Sequence, residues 1–189
     1  TLTGIDLPGE AKGLVPTPEW KKKTKGGSWT IGDTYNISIG QGDLLLTPIQ
    51  LVNSVAAIAN GGQYHQPRLV SEITDQNGQL VKFPKQSEEL KSVGSPDNIR
   101  IVREGMRLTV TGGTARTLNT IPMAIAGKTG TSQFEEKGKT HAWFVGFAPY
   151  ESPSIALLVM VEGGGESFSV AGPIAQQIMS WYSSHINQK

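Results

Sequence analysis

Three apolar runs separated by short charged or proline-containing turns dominate the last third of the sequence, and they constrain the fold more than any other feature. The runs cover residues 122–126, 142–148 and 155–161. Consecutive short runs of this kind favour neighbouring antiparallel strands. The third run is almost entirely apolar, which is typical of a strand that is covered on both faces.

Three helices are predicted around this sheet. The first has Thr47 as N-cap, Pro48 at its first position and Gln50 completing a capping box, and it ends at Gly61. Its apolar composition predicts burial on most sides. The second begins at Ser95-Pro96-Asp97, packs through one stripe and leaves its Arg and Glu face in solvent; the stripe is Ile99, Val102 and Met106. The third opens at Pro173 and covers one sheet face through Ile174, Ile178, Trp181 and Tyr182.

The remaining segments are predicted to lie at the surface. Residues 68–74 and 79–83 form an exposed hairpin, because Asn77-Gly78 between them supplies the positive φ of a tight turn. Residues 1–45 are rich in Gly, Pro and Lys, which predicts long loops with at most a short helix, and the basic cluster at 21–25 is expected to be a solvated loop. The predicted fold class is α+β, an antiparallel sheet flanked by helices.

Composition narrows the class of protein further. The net charge is +1 and the basic residues are dispersed, so nucleic-acid binding is not expected. The absence of cysteine excludes disulfides and thiolate metal sites. The longest apolar run is far shorter than the roughly 20 residues of a membrane-spanning helix, so this chain is not expected to span a membrane. Its opening resembles the middle of a domain, and we expect a part upstream of Thr1.

The strongest chemical signal is Lys128-Thr129-Gly130-Thr131, predicted at one edge of the sheet after an apolar strand. A lysine ammonium with adjacent hydroxyls can hold a carboxylate through charge-assisted hydrogen bonds. Glycine lets a ligand approach the strand without meeting a Cβ, and free backbone N–H groups can stabilise an oxyanion. The four residues together predict a site for an anionic acyl substrate.

The surroundings of this motif resemble the class B penicillin-binding proteins. Lys-Thr-Gly is one signature of penicillin-binding proteins and serine β-lactamases, and further landmarks follow in the family's order across nearly the whole chain. They are residues 3–10, Ser38-Ile39-Gly40-Gln41-Gly42, residues 47–51, Gly113-Thr114-Ala115, residues 126–131 and residues 142–147. Asp6-Leu7-Pro8-Gly9-Glu10 and Trp20 resemble the elongation-type penicillin-binding protein 2 branch. The implied fold is part of the serine β-lactamase/transpeptidase-like fold.

The resemblance implies serine acyl transfer on the D-Ala-D-Ala end of a peptidoglycan stem peptide, with β-lactams as mimics of that donor. Lys128 would anchor the carboxylate, the Thr129 and Thr131 hydroxyls would bond to it, and Gly130 would permit close approach. The Thr131 N–H would form half of the oxyanion hole. Gln41 and Tyr35 would lie behind the site without catalytic roles.

The sequence departs from the family because no serine has a lysine three positions later, so the nucleophile and its base are missing. Ser95-Pro96-Asp97 matches the family's second motif formally, but a helix cap explains it better. Residues 1–189 are therefore predicted to be the C-terminal portion of a transpeptidase domain, inactive alone and of marginal stability without its upstream part.

Two alternatives remain at this stage: a class D β-lactamase or β-lactam sensor domain, and a non-catalytic interaction module of the same fold. For the leading interpretation, the family implies anchoring on the periplasmic or extracellular face of the cytoplasmic membrane by an upstream segment. It also implies partners in a wall-synthesis complex that includes a glycan polymerase.

Other polar residues suggest no second site, and neither a cofactor nor a metal ion is predicted. His65, His141 and His185 lack the spacing of metal ligands. Glu135 and Glu136 are expected to be solvated in a charged turn. The glycines at 163–165 lack the spacing of a phosphate loop and are expected to form a turn. Trp143 and Phe147 alternate on a strand and are expected to lie in the core.

Overall fold

A computed structural model describes residues 2–82, 92–133 and 138–186. Its helices are α1 (Pro18–Lys25), α2 (Ile31–Ser38), α3 (Pro48–Ala59), α4 (Pro96–Thr111) and α5 (Ala171–His185). Its strands are β1 (Ile73–Thr74), β2 (Leu80–Lys82), β3 (Ala126–Gln133), β4 (Thr140–Ala148) and β5 (Ile155–Val161). A 3₁₀ turn, Arg116–Thr120, lies between α4 and β3.

The predicted α+β class, an antiparallel sheet flanked by helices, is confirmed. Strands β3, β4 and β5 form an antiparallel sheet in that order. Phe144 and Met179 belong to a core cluster between the sheet and α5. Phe147 and Val55 belong to a second cluster on the α3 side of the sheet. The sheet is therefore covered on both faces, as the apolar β5 sequence predicted.

The first strand of the sheet lies further along the chain than predicted. Residues 122–126 were expected to form it, but β3 begins at Ala126 and contains the Lys-Thr-Gly motif itself. The segment before Ala126 makes a hydrogen bond outside the strand ladder. Its Ala124 carbonyl accepts from the N–H of Tyr150, which follows β4, at 2.8 Å. An edge strand needs fewer apolar residues than a central one, and threonine favours strands, so hydrophobicity alone misplaced this element.

Helix α3 and the hairpin agree with the predictions. Thr47 and Gln50 form the capping box and Gly61 follows the helix with φ 83°. The short strands β1 and β2 pair antiparallel and are exposed, with Gly78 at φ 76° in their connection. The first strand is shorter than predicted, and Phe83 lies outside the described residues.

Helix α4 packs through a different stripe from the one predicted. Ser95 caps it and Ile99 and Met106 are buried, as expected, but Val102 is 44% exposed. At 100° per residue, Val102 lies 60° from Ile99, on the opposite side from Arg103. The prediction that the Arg and Glu face stays in solvent holds for Arg100 and Glu104, which pair at the surface. It is wrong for Arg103, which donates to the carbonyls of Ala59 and Tyr150. Arg107 likewise donates to the Ile125 carbonyl at 2.8 Å.

Helix α5 presents to the sheet a face that is rotated by roughly a quarter turn from the predicted one. Its buried residues are Ala171, Gly172, Ala175 and Met179. The predicted stripe lies largely outside, with Ile174 39%, Ile178 38% and Trp181 63% exposed. Small residues let a helix approach a sheet closely, so two alanines and a glycine occupy much of this contact, together with the Met179 side chain.

The prediction of loops over residues 1–45 is wrong, since two helices form there. Thr17 caps α1, Pro18 occupies its first turn, and Gly26 ends it in the left-handed conformation with φ 71°. Thr30 and Asp33 form a capping box at the start of α2. The basic cluster is thus helical, and Lys21 pairs with Asp33 at 2.6 Å. Across the described ranges, no helix has the length and apolar character needed to cross a bilayer.

Candidate active site

Strand β3 brings the four motif residues together but divides their side chains between its two faces. Lys128 lies opposite Val145 and Thr129 lies opposite Phe144 in the β3–β4 register. Since side chains alternate along a strand, Lys128 and Gly130 share one face, while Thr129 and Thr131 share the face turned towards α5. The motif is contiguous in sequence, yet the side chains of Thr129 and Thr131 leave the strand on the opposite face from the Lys128 side chain.

The Lys128 side chain bends round towards the outer edge of the strand. Its Nζ donates to the Thr129 carbonyl oxygen at 2.6 Å. The Gln41 side chain donates to the Thr131 carbonyl oxygen at 3.4 Å. Both carbonyls are thus reached by side chains. Among the described residues, β4 is the only strand paired with β3.

These two contacts identify the backbone groups that face away from the sheet. In an antiparallel ladder, a residue either exchanges both its N–H and its C=O with the opposite residue or turns both away. Because the carbonyls of Thr129 and Thr131 are reached by side chains, their N–H groups are expected to face the same open edge. The Thr131 N–H is therefore expected at the same open edge of β3 as the Lys128 ammonium.

Both threonine hydroxyls are supported by neighbouring hydroxyls. Thr129 is 6% exposed, and its Oγ1 lies 2.7 Å from the Oγ1 of Thr114. Thr131 donates to the Oγ of the buried Ser167 at 3.3 Å, and the Ser167 N–H donates back to the Thr131 hydroxyl at 3.4 Å. Ser167 lies in the connection between β5 and α5, so two separate segments of the chain support the hydroxyls of β3.

Glycines in the sheet meet two different requirements. A Cβ at Gly127 would lie 2.5 Å from Cζ of Phe144, and one at Gly146 would lie 2.5 Å from the Ala126 carbonyl oxygen. A Cβ at Gly130 would meet only Cβ of Trp143, at an ordinary contact distance of 3.6 Å. The fold therefore needs glycine at 127 and 146, whereas at 130 it leaves room for a methyl group.

The other residues considered in the sequence take varied positions. Gln41 contacts β3, whereas Tyr35 is 64% exposed. Phe147 is buried as predicted, while Trp143 is half-buried and donates from Nε1 to the Ser132 hydroxyl at 2.9 Å. The glycines at 163–165 form the predicted turn, with Gly163 at φ 62° and Gly165 at φ 78°.

No metal centre is formed within the described ranges, where no three His, Asp or Glu side chains come together in a way that could hold an ion. Glu135 and Glu136 lie outside those ranges. The carboxylate of Asp33 in α2 has the clearest electrostatic shift among the described residues. Hydrogen bonds from Lys21 and Thr30 lower its pKa to about 2.

Sequence reasoning missed two of the residues that support the motif. Thr114 was noticed only as part of Gly113-Thr114-Ala115, without a role, and its bond to Thr129 depends on how α4 packs beside β3. Ser167 had no local signal at all, because its contact joins residues 36 positions apart.

With this geometry in place, comparison with known proteins identifies the family. Residues 1–180 match the penicillin-binding protein transpeptidase domain, and the chain belongs to that family. It is 34% identical to the peptidoglycan D,D-transpeptidase MrdA of Acinetobacter baumannii, over 91% of this chain and 28% of the relative. It is 33% identical to penicillin-binding protein H of Bacillus subtilis, over 96% of this chain and 26% of the relative. The chain thus spans less than a third of either protein.

Solved structures agree with this placement. The chain superposes on PBP2 of Pseudomonas aeruginosa with a TM-score of 0.78 and 42% identity, over 93% of this chain and 38% of that one. It superposes on PBP2 of Helicobacter pylori, in a complex with MreC, with a TM-score of 0.80 and 30% identity, over 100% of this chain and 34% of that one. Within the family, the chain is a class B penicillin-binding protein of the penicillin-binding protein 2 branch, and that resemblance is confirmed.

Proposed function

We propose that this chain is the C-terminal portion of a DD-transpeptidase domain that cross-links peptidoglycan and is acylated by penicillin. The observation that carries the proposal is the open edge of β3, where the Lys128 ammonium and the backbone of Thr129 and Thr131 face outwards together. Such an edge can bind an extended peptide and polarise its terminal amide. Membership of the transpeptidase family supports the same reaction.

In the proposed reaction, an upstream serine supplies the nucleophile that this chain lacks. Its oxygen attacks the carbonyl carbon of the penultimate D-alanine, the C–N bond breaks, and the terminal D-alanine leaves with a proton on its nitrogen. An amine of a neighbouring stem peptide then attacks the acyl ester, forming the cross-link and returning the proton to the serine.

The residues of β3 would act in both steps. The Thr131 N–H, paired with the N–H of the serine itself, would stabilise the oxyanion that forms on the attacked carbonyl. Lys128 would hold the donor carboxylate through a charge-assisted hydrogen bond, with the hydroxyl of Thr129 as a further donor. The Thr131 hydroxyl would join them by turning its one proton from Ser167 to the carboxylate. Gly130 would let the ligand lie directly against the strand, consistent with the room that the fold leaves there.

The β-lactamase or sensor alternative predicts a different fate for the same acyl-enzyme. A β-lactamase would hydrolyse the penicilloyl ester rapidly, whereas a transpeptidase would retain it. An interaction module would form no ester. The names of the relatives, peptidoglycan D,D-transpeptidases, favour the transpeptidase.

Location and partners follow from the same proposal. The whole protein would be held by an upstream anchor at the periplasmic or outer face of the cytoplasmic membrane. It would act in a wall-synthesis complex with a glycan polymerase and an MreC-type protein, since a similar PBP2 forms a complex with MreC. Co-purification of the full-length gene product with its own organism's MreC would test the partner, and absence of binding by both purified proteins would contradict it.

The test of the function is covalent labelling with a fluorescent penicillin. We expect the full-length gene product to be labelled at a serine upstream of this chain and to retain the label over many minutes, while the 189-residue chain is not labelled. Peptide mapping by mass spectrometry locates the ester. Labelling of a serine within this chain, or of no serine in the full-length protein, would contradict the proposal.

A further inference from the structure

The buried hydroxyl of Thr129 has a defined partner that the proposed reaction does not yet use. Thr129 is 6% exposed, and its Oγ1 lies 2.7 Å from the Oγ1 of the exposed Thr114. A buried hydroxyl without a partner is costly, so this contact fixes where the Thr129 oxygen lies, and either hydroxyl can be its donor.

The turn after α4 holds Thr114 in a fixed position. The Ala115 N–H donates to the Thr109 carbonyl at 3.1 Å, and the Ala115 side chain is 1% exposed in the core. A Cβ at Gly113 would lie 2.9 Å from Cα and the carbonyl oxygen of Thr109, so only glycine fits there. The backbone on both sides of Thr114 is thus constrained, and its hydroxyl is presented to β3.

We propose that Thr114 is a positioning residue that orients the Thr129 hydroxyl towards the substrate carboxylate. A hydroxyl donates one hydrogen bond and accepts two. When Thr114 donates to Thr129, the Thr129 proton is released from that contact and can point to the carboxylate that Lys128 holds. Thr114 acts through Thr129 and does not touch the ligand. The inference rests on the proposed function, because it assumes a bound donor carboxylate.

A pair of variants in the full-length gene product separates this role from simple packing. Thr114→Val keeps the shape but removes the hydroxyl, whereas Thr114→Ser keeps the hydroxyl. Each variant is acylated with benzylpenicillin and with its methyl ester, which lacks the carboxylate. For the acid, we expect Thr114→Val to react about three- to tenfold more slowly, the loss that one net hydrogen bond produces. Thr114→Ser should stay within about twofold of wild type, since it retains that bond.

The ester provides the readout that a purely structural role would not produce. The methyl ester should acylate the wild type more slowly than benzylpenicillin does. Its acylation rate should be the same for Thr114→Val as for the wild type, because the ester has no carboxylate to accept a hydrogen bond from Thr129. Equal slowing of the acid and the ester, or an unchanged rate with the acid, would overturn the inference. Failure of the wild-type protein to be acylated at all would instead contradict the proposed function. Thermal unfolding of each variant confirms that it is folded.

Discussion

The sheet and the N-terminal third of the chain are held in place by different forces. Phe144 and Phe147 in β4 are completely buried, and both faces of the sheet lie against apolar clusters. Helices α1 and α2 contain no buried residue. The ion pair between Lys21 and Asp33, at 2.6 Å, joins these two helices to each other. The motif strand thus belongs to a sheet with an apolar core on both faces, whereas the N-terminal third reaches it through the hydrogen bond from the Gln41 side chain.

The contrast teaches that stability and site assembly can be perturbed separately. Burial of apolar side chains is insensitive to pH and to moderate salt, whereas ion pairs that solvent reaches are screened by salt and weakened when a carboxylate is protonated. Changes in the sheet should therefore alter unfolding, and changes in the N-terminal third should alter local opening near the site.

The largest expected effect is the loss of Phe144. Phe144→Ala should destabilise the sheet by about 3–5 kcal/mol, because it leaves a cavity in the core. Amide hydrogen exchange on the full-length gene product would show this as faster exchange in β4. As a matched control, Ile31→Ala removes an apolar side chain that is 71% exposed in α2, and it should change stability by no more than about 0.5 kcal/mol. If Phe144→Ala and Ile31→Ala destabilised the protein equally, the sheet would not be more important for stability than α2.

The two glycines of β3 provide a sharper test within one strand. Gly127→Ala places a methyl group against the Phe144 ring, and overpacking of this kind should cost about 1–3 kcal/mol. Gly130→Ala should leave hydrogen exchange of the sheet unchanged but slow acylation by penicillin, because the new methyl group occupies space that the ligand needs. A Gly130→Ala protein acylated at the wild-type rate would show that no ligand approaches this position.

The pH dependence of the N-terminal third gives the smallest effect. The lowered pKa of Asp33, about 2, means that its carboxylate stabilises the folded segment. That contribution is complete above the ordinary pKa of 3.8 and is lost as the pH falls towards 2. Carboxyl NMR should place the Asp33 midpoint near 2 in the wild type, and Lys21→Met should raise it. An unchanged midpoint would mean that the ion pair does not hold α1 against α2.

Sequence patterns correctly located the elements that have a clear apolar run or a local helix cap. Strands β4 and β5 and helix α3 were found because their runs and caps are local. The apolar pattern misplaced β3, because this edge strand contains Lys128 and several threonines instead of a continuous apolar run. It also failed for α5, where Ala175 rather than Ile178 faces the sheet. The correct face depends on how closely two elements approach, and the sequence of one element does not contain that distance.

The candidate site was predictable to the same extent. The motif residues were found because Lys-Thr-Gly is contiguous and has a chemical rationale. Their division between two faces of β3 follows from strand alternation, once β3 is known to begin at Ala126. The supports from Thr114 and Ser167 could not be predicted, since each joins distant segments through one hydroxyl contact.

The role of Lys128 in binding the substrate carboxylate is tested most directly by an acylation rate. Benzylpenicillin is reacted with the full-length gene product and with its Lys128→Ala variant. Loss of a charge-assisted hydrogen bond to the carboxylate should slow acylation about tenfold or more, while hydrogen exchange of β4 stays unchanged. Lys82→Ala, on the exposed hairpin strand β2, should react like the wild type. If Lys128→Ala is acylated as fast as Lys82→Ala, the edge of β3 does not bind the substrate carboxylate.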